Sequence, residues 1–146
     1  MKLFPFIIAC ILIFSSSVNG QVPDSTKFKL LQPKDFQLAY QHDEKALLVD
    51  VREFFEFKKT RLKNAVNIPS SGNLGFSSDT INKECALYLY CTSGFRSKRV
   101  AIFFYDRGFR NLYSLQGGIT AWKKEGMAVD KKRLKRTTSP AAVSRS

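Results

Sequence analysis

A chain of 146 residues with 44% apolar content and 13 phenylalanines holds enough material for one packed domain and too little for two comfortable ones. That composition excludes a disordered or fibrous chain. The formal charge is +12, but seventeen cations against twelve acids leave only +5 on residues 21–130; about half the basicity belongs to the tail, whose cations lack interleaved aromatics and so do not make a nucleic-acid surface.

Residues 1–20 have the layout of a secretory signal. Lys2 precedes an apolar stretch from Leu3 to Phe14, and Ser15 to Gly20 supply small residues for a cleavage site, leaving Gln21 as the mature N-terminus. The apolar stretch is shorter than the roughly 20 residues a bilayer span requires, and Pro5 opposes a spanning helix. The expected location is therefore exported, periplasmic or extracellular after cleavage near Gly20, with an uncleaved anchor as the alternative.

Beyond a linker over residues 21–27, Phe28–Leu31 reads as a short strand. A helix over Pro33–Gln41 follows, with proline near its start, Asp35 in its first turn and Phe36, Leu38, Ala39 and Tyr40 on one face. Ala46–Val51 is almost continuously apolar, as expected of a strand covered on both faces. Phe54 to Thr60 reads as a short helix, Ala65–Ile68 as a strand ended by Pro69, and residues 70–84 as a loop with room for one helical turn. Ala86–Tyr90 is a buried strand, Ser97–Arg107 a helix closed by Gly108, Asn111–Leu115 a last strand and Gly118–Glu125 a last helix. Strands alternating with helices imply an α/β fold with a parallel sheet. The domain is expected to span 28–128, and the tail over 129–146, rich in Lys and Arg, is expected to be disordered.

Ligands of such sheets bind beyond the carboxyl ends of the strands, which nominates the loop after Tyr90. It carries Cys91. The other cysteine of the expected mature chain, Cys85, lies at the far end of the same strand. Extended chain at about 3.3 Å per residue holds their Cα atoms roughly 20 Å apart, whereas a disulfide needs less than about 7 Å. Cys91 is thus expected to be free. No base stands ready to ionise it: the chain has one histidine, His42, at the end of the first full helix beside Asp43, where a solvated turn residue is expected. Help must come from a helix N-terminus, backbone amides and cations. The stretch Cys91-Thr92-Ser93-Gly94-Phe95-Arg96-Ser97 offers all three, since Gly94 lets the chain turn its amides inward and a helix opens directly after it. Arg96, Lys98 and Arg99 are out of place in a first helical turn, which favours negative charge; an anion held in the loop would turn that cost into a gain.

These segments together resemble a single-domain rhodanese, a sulfurtransferase. Leu48 to Glu53 with Glu56-Phe57 resembles the family's first signature, and Ala65-Val66-Asn67-Ile68-Pro69 its next segment. Tyr90 to Ser97 resembles the active-site loop, and Gly108-Phe109 then Leu115-Gln116-Gly117-Gly118-Ile119-Thr120-Ala121-Trp122 the C-terminal signature. The resemblance runs from about Phe28 to Met127. It implies a rhodanese-like five-stranded parallel sheet flanked by helices on both faces. It also implies a Cys91 that takes sulfane sulfur from thiosulfate or a polysulfide as a persulfide and gives it to cyanide or a thiol. The terminal sulfur would be cradled by the amides of residues 92 to 97 and by Arg96, with Asp50 and Arg52 as structural support and no metal or cofactor. The partners so implied are small donors and acceptors, for a monomer, with no nucleic acid and at most a weak attraction of the tail to anionic surfaces.

Two departures stand out. Thr60-Arg61 occupies the place of a Gly-His pair usual in the family, and Thr92 that of a basic residue many relatives have after the cysteine, which leaves the donor open. Two other readings share the loop. Cysteine phosphatases and arsenate reductases present a thiolate before a helix in a C-x5-R loop, whereas four residues separate Cys91 from Arg96. A sulfur carrier or sensory module, passing persulfide to one partner protein without turnover, would have the same loop.

Overall fold

The computed structural model describes residues 23–131. The expected signal over 1–20, the first residues of the linker and the tail beyond Lys131 lie outside the described residues.

The described chain alternates helices and strands. A one-turn helix α1 (Asp24–Lys27) precedes β1 (Lys29–Leu31), α2 (Pro33–Gln41), β2 (Ala46–Asp50), α3 (Phe54–Lys59) and β3 (Val66–Asn67). Then come α4 (Leu74–Thr80), β4 (Ala86–Tyr90), α5 (Phe95–Asp106), β5 (Leu112–Leu115) and α6 (Gly118–Lys124). The five strands form one sheet in the order β1-β5-β4-β2-β3, and all its pairs are parallel. This is the α/β architecture expected from the sequence.

Alternation along β4 divides the core in two, because successive strand residues face opposite sides of a sheet. Leu87, Leu89 and Cys91 face one side, with Val49 of the neighbouring strand and Val51 just beyond its end, and pack against Val100, Ala101 and Phe104 of α5. Ala86, Tyr88 and Tyr90 face the other, against Phe36 of α2 and Ile119 and Trp122 of α6. Every residue of β4 is buried, which is why it shows no polar alternation. Each large apolar side chain so covered contributes about 1.5–3 kcal/mol. The thiol therefore starts life as part of the α5-side core.

Three local differences from the sequence reading have physical causes. The 70–84 loop contains α4, seven residues long rather than one turn: Asn73 caps it by accepting a hydrogen bond from the Phe76 amide at 3.0 Å, a signal that a Ser/Gly/Asn-rich composition obscures. Helix α5 begins at Phe95, two residues before Ser97, because Gly94 adopts a left-handed conformation and serves as N-cap. Asp130, assigned by composition to the tail, is docked: its amide and carbonyl bond Arg61 in an antiparallel bridge at 2.7 and 2.9 Å, and its carboxylate takes the Arg61 guanidinium at 2.7 Å. Arg61, part of the departure noted at positions 60 and 61, thus ties the end of the domain to the segment after α3. No helix among the described residues is long and apolar enough to cross a membrane.

Candidate active site

Cys91 follows β4 at its carboxyl end, and the chain turns at once into α5. Its Sγ is nearly sealed, the residue being 1% exposed. The Gly94 amide donates to it at 3.1 Å, and the Ser97 hydroxyl lies 3.8 Å away. That hydroxyl also lies 3.1 Å from the Gly94 carbonyl and 2.9 Å from the Ser114 hydroxyl of β5. When Ser114 donates to Ser97, the Ser97 proton is available to the carbonyl or the sulfur. Gly94 makes this turn possible: at φ +92° a side chain would be strained, and a Cβ there would stand 3.2 Å from the Leu115 carbonyl. The first amides of α5 have no partner within the helix and open toward the turn, as at any helix start.

The loop is seated on α6. Ile119 and Thr120 donate their amides to the carbonyls of Cys91 and Thr92 at 2.9 and 3.1 Å. Gly118, at φ +59°, lets the two backbones touch; an added Cβ would come within 2.5 Å of the Thr92 carbonyl oxygen. The Gly117-Gly118 pair is therefore a contact surface for the cysteine loop as well as a helix start.

At the mouth the charges are paired. The two terminal nitrogens of Arg96 donate to the two oxygens of Glu56 at 2.8 and 3.0 Å, and one of them also reaches the Thr92 hydroxyl at 3.0 Å. Thr92 in turn donates to Glu56 at 2.9 Å. Glu56 closes a capping box on α3, accepting the Glu53 amide at 3.2 Å. The Arg96 hydrogen bonds lead in lowering the Glu56 carboxyl from 4.5 to about 2; partial burial opposes them, and the Thr92 hydroxyl and Glu53 amide assist. Arg96 holds its proton more tightly than usual, chiefly through the Glu56 hydrogen bond, with the Cys91 sulfur acting in the same direction. Thus the cation that seemed misplaced at a helix start has an internal anion, and the sequence reading missed Glu56. The available signal was an acid three residues after Glu53 at the carboxyl end of a neighbouring strand.

The remaining candidates lie around this centre. Ser93 is exposed and Phe95 is 65% exposed, its ring 5.9 Å from the Arg99 guanidinium. Lys98 and Arg99 are exposed. Asp50 and Arg52 do not reach the sulfur. They form a buried two-pronged pair at 2.6 and 2.9 Å, and Arg52 also donates to the Thr60 carbonyl at 2.6 Å. Asp50 sits beside Tyr90 in register, and the Val51 amide donates to the Tyr90 carbonyl at 3.0 Å, so the pair fixes the strand end that carries Cys91. Burial, first of all, pushes the Tyr90 phenol well above its usual value; the neutral hydroxyl accepts the Leu62 amide at 3.1 Å. Cys85 and Cys91 are both free, and His42 is exposed at the end of α2, away from the loop elements.

With this geometry in place, comparison with known proteins is decisive for the family. The model of the rhodanese-like domain matches residues 33–125. The chain belongs to the rhodanese-like family. The chain is 36% identical over 93 residues to a tRNA uridine(34) hydroxylase of Hamiltonella defensa, an alignment covering 57% of this chain and 26% of that protein. The corresponding Yersinia pestis hydroxylase is 30% identical over 88 residues, with 57% and 25% covered. The chain thus spans about a quarter of the length of the curated relatives it matches. Among solved structures, a rhodanese-related protein of Thermoplasma volcanium superposes with a TM-score of 0.61 at 25% identity, covering 72% of this chain and all of that one (100%). A rhodanese-like domain protein of Staphylococcus aureus gives 0.62 at 25% identity, with 72% and 99% covered.

Proposed function

We propose that the protein is a sulfurtransferase that carries sulfane sulfur on Cys91. The observation that supports this most is the thiol itself: a free cysteine at the carboxyl end of the central strand, with the Gly94 amide on its sulfur at 3.1 Å at the start of a helix. A fixed donor aimed at sulfur stabilises the thiolate that attacks, and the amides opening α5 suit the anionic terminal sulfur that results.

In the first half-reaction the Cys91 thiolate attacks the outer sulfur of thiosulfate, or one sulfur of a polysulfide. The donor S–S bond breaks, its electron pair leaves with sulfite or the shortened polysulfide, and Cys91 becomes a persulfide, Cys–S–S⁻. In the second, cyanide or a thiolate attacks the terminal sulfur. The Cys91 S–S bond breaks and its electron pair restores the thiolate. The electron count closes without an outside oxidant, and no proton has to be held by a base. This is covalent catalysis through a stabilised anion.

The hydroxylase activity named for the longer relatives stays with those proteins, of whose length this chain spans about a quarter. Export of the mature chain, through the segment ending near Gly20, is part of the same proposal, as are its monomeric state and its use of small donors and acceptors. The decisive assay is cyanide-dependent thiocyanate formation with thiosulfate or a thiosulfonate. Turnover that disappears in Cys91→Ser supports the enzyme. Loading of one sulfur without turnover would favour a carrier that serves a partner protein, and undiminished turnover in Cys91→Ser would overturn the mechanism.

A further inference from the structure

The geometry points to Glu56 as the residue that selects sulfur donors by their charge, weakening the site for dianions such as thiosulfate relative to monoanionic donors of the thiosulfonate class. This inference rests on the sulfur-transfer reading above and names what that site prefers.

Arg96 is the cation that couples to Cys91, and its charge already faces a carboxylate. Both its terminal nitrogens donate to Glu56, in the forked geometry that makes guanidinium–carboxylate pairs specific. Glu56 is held from three directions, by Arg96, by the Thr92 hydroxyl and by the Glu53 amide, so the pair is a fixed part of the loop mouth rather than a passing surface contact. With a carboxyl near 2, Glu56 is charged at any pH where a thiolate works. Thr92 contributes a hydroxyl bridge and no charge. Lys98 and Arg99 face solvent, Arg99 alongside the Phe95 ring. The mouth is therefore balanced, and what remains to attract an anion is the amide set that acts on the transferred sulfur itself.

Thiosulfate and methanethiosulfonate separate these contributions. Both deliver the same sulfur by the same displacement, one releasing sulfite and the other methanesulfinate, but thiosulfate carries two negative charges and the thiosulfonate one. Coulomb energy is proportional to donor charge. Removing the Glu56 charge should therefore help thiosulfate by about the square of the factor by which it helps methanethiosulfonate.

The experiment measures kcat/KM for both donors, with cyanide as acceptor, in the full chain and in Glu56→Gln. The expected result is a gain of about tenfold for thiosulfate and about threefold for methanethiosulfonate, so the thiosulfate:thiosulfonate ratio rises about threefold, mainly through KM, and the rise shrinks as salt screens the mouth. Equal changes for the two donors, or an equal loss, would show that Glu56 only supports the loop and would overturn the inference. Thr92→Lys, at an exposed position, adds a cation without removing Glu56 and should move the ratio the same way. If Glu56→Gln does not fold by circular dichroism, that variant decides, and an unmoved ratio there overturns the inference. The two readings fail differently. Wild type that takes sulfur on Cys91 from both donors, with an unmoved ratio in the variants, removes the role of Glu56 alone. Wild type that takes sulfur from neither donor removes the sulfur-transfer reading and this inference with it.

Discussion

The segment running from β2 into α3 supplies the carboxylates of two carboxylate–guanidinium pairs, and they serve opposite ends. In Asp50–Arg52 the side chains are 0% and 4% exposed, and the arginine is also bonded to the Thr60 carbonyl. In Glu56–Arg96 the side chains are 22% and 32% exposed and stand over the thiol loop. The chemistry is the same and the surroundings are not. Burial makes the first pair an all-or-nothing joint, because either partner alone is a charge without solvent. Partial solvation makes the second a setting of local charge that can be changed without dismantling the fold.

The contrast can be broken most forcefully at the buried pair. Asp50→Ala leaves Arg52 buried and unpaired and should cost about 3–5 kcal/mol in urea unfolding, more than Glu56→Gln, whose arginine partner keeps contact with solvent. Equal costs would remove the distinction. Next in size is Gly118→Ala. The left-handed backbone alone costs about 1–2 kcal/mol, the collision with the Cys91–Thr92 backbone adds to it, and sulfur transfer should fall along with the melting temperature. Full activity in that variant would mean the loop does not depend on its seat.

The smallest effect tests the partly solvated pair by pH. The Glu56 carboxyl is lowered on folding from 4.5 to about 2. Its contribution to stability is thus complete above about 4.5 and is lost as pH falls toward about 2. The stability difference between wild type and Glu56→Gln, followed by denaturant unfolding, should be constant above pH 5 and narrow through that acid window. A difference that stays constant down to pH 2 would show that the pair does not hold in solution.

Much of this was legible in the sequence because it follows from periodicity and punctuation. The run Ala86–Tyr90 could only be a covered strand, Pro33 and Gly108 marked helix limits, and the alternation of elements gave the parallel sheet. The position of Cys91 at a strand end followed from the same pattern. What the sequence did not disclose are relations between distant residues. Glu56 and Arg96 stand 40 positions apart, and nothing local in either says that one neutralises the other. Ser114 beside Ser97, and Asp130 beside Arg61, are hidden for the same reason. The full length of α4 was hidden because its sequence is rich in loop formers; the Asn73 cap and the packing of Leu74 against the core help to hold it.

The central claim is that Cys91 holds transferred sulfur in the turn closed by the Gly94 amide. Intact-protein mass after incubation with methanethiosulfonate, followed by peptide mapping, tests it most directly. The expected result is the mass of one added sulfur atom, located on Cys91, absent from Cys91→Ser and removed by cyanide as thiocyanate. Sulfur found on Cys85, or an equal gain in Cys91→Ser, would contradict it.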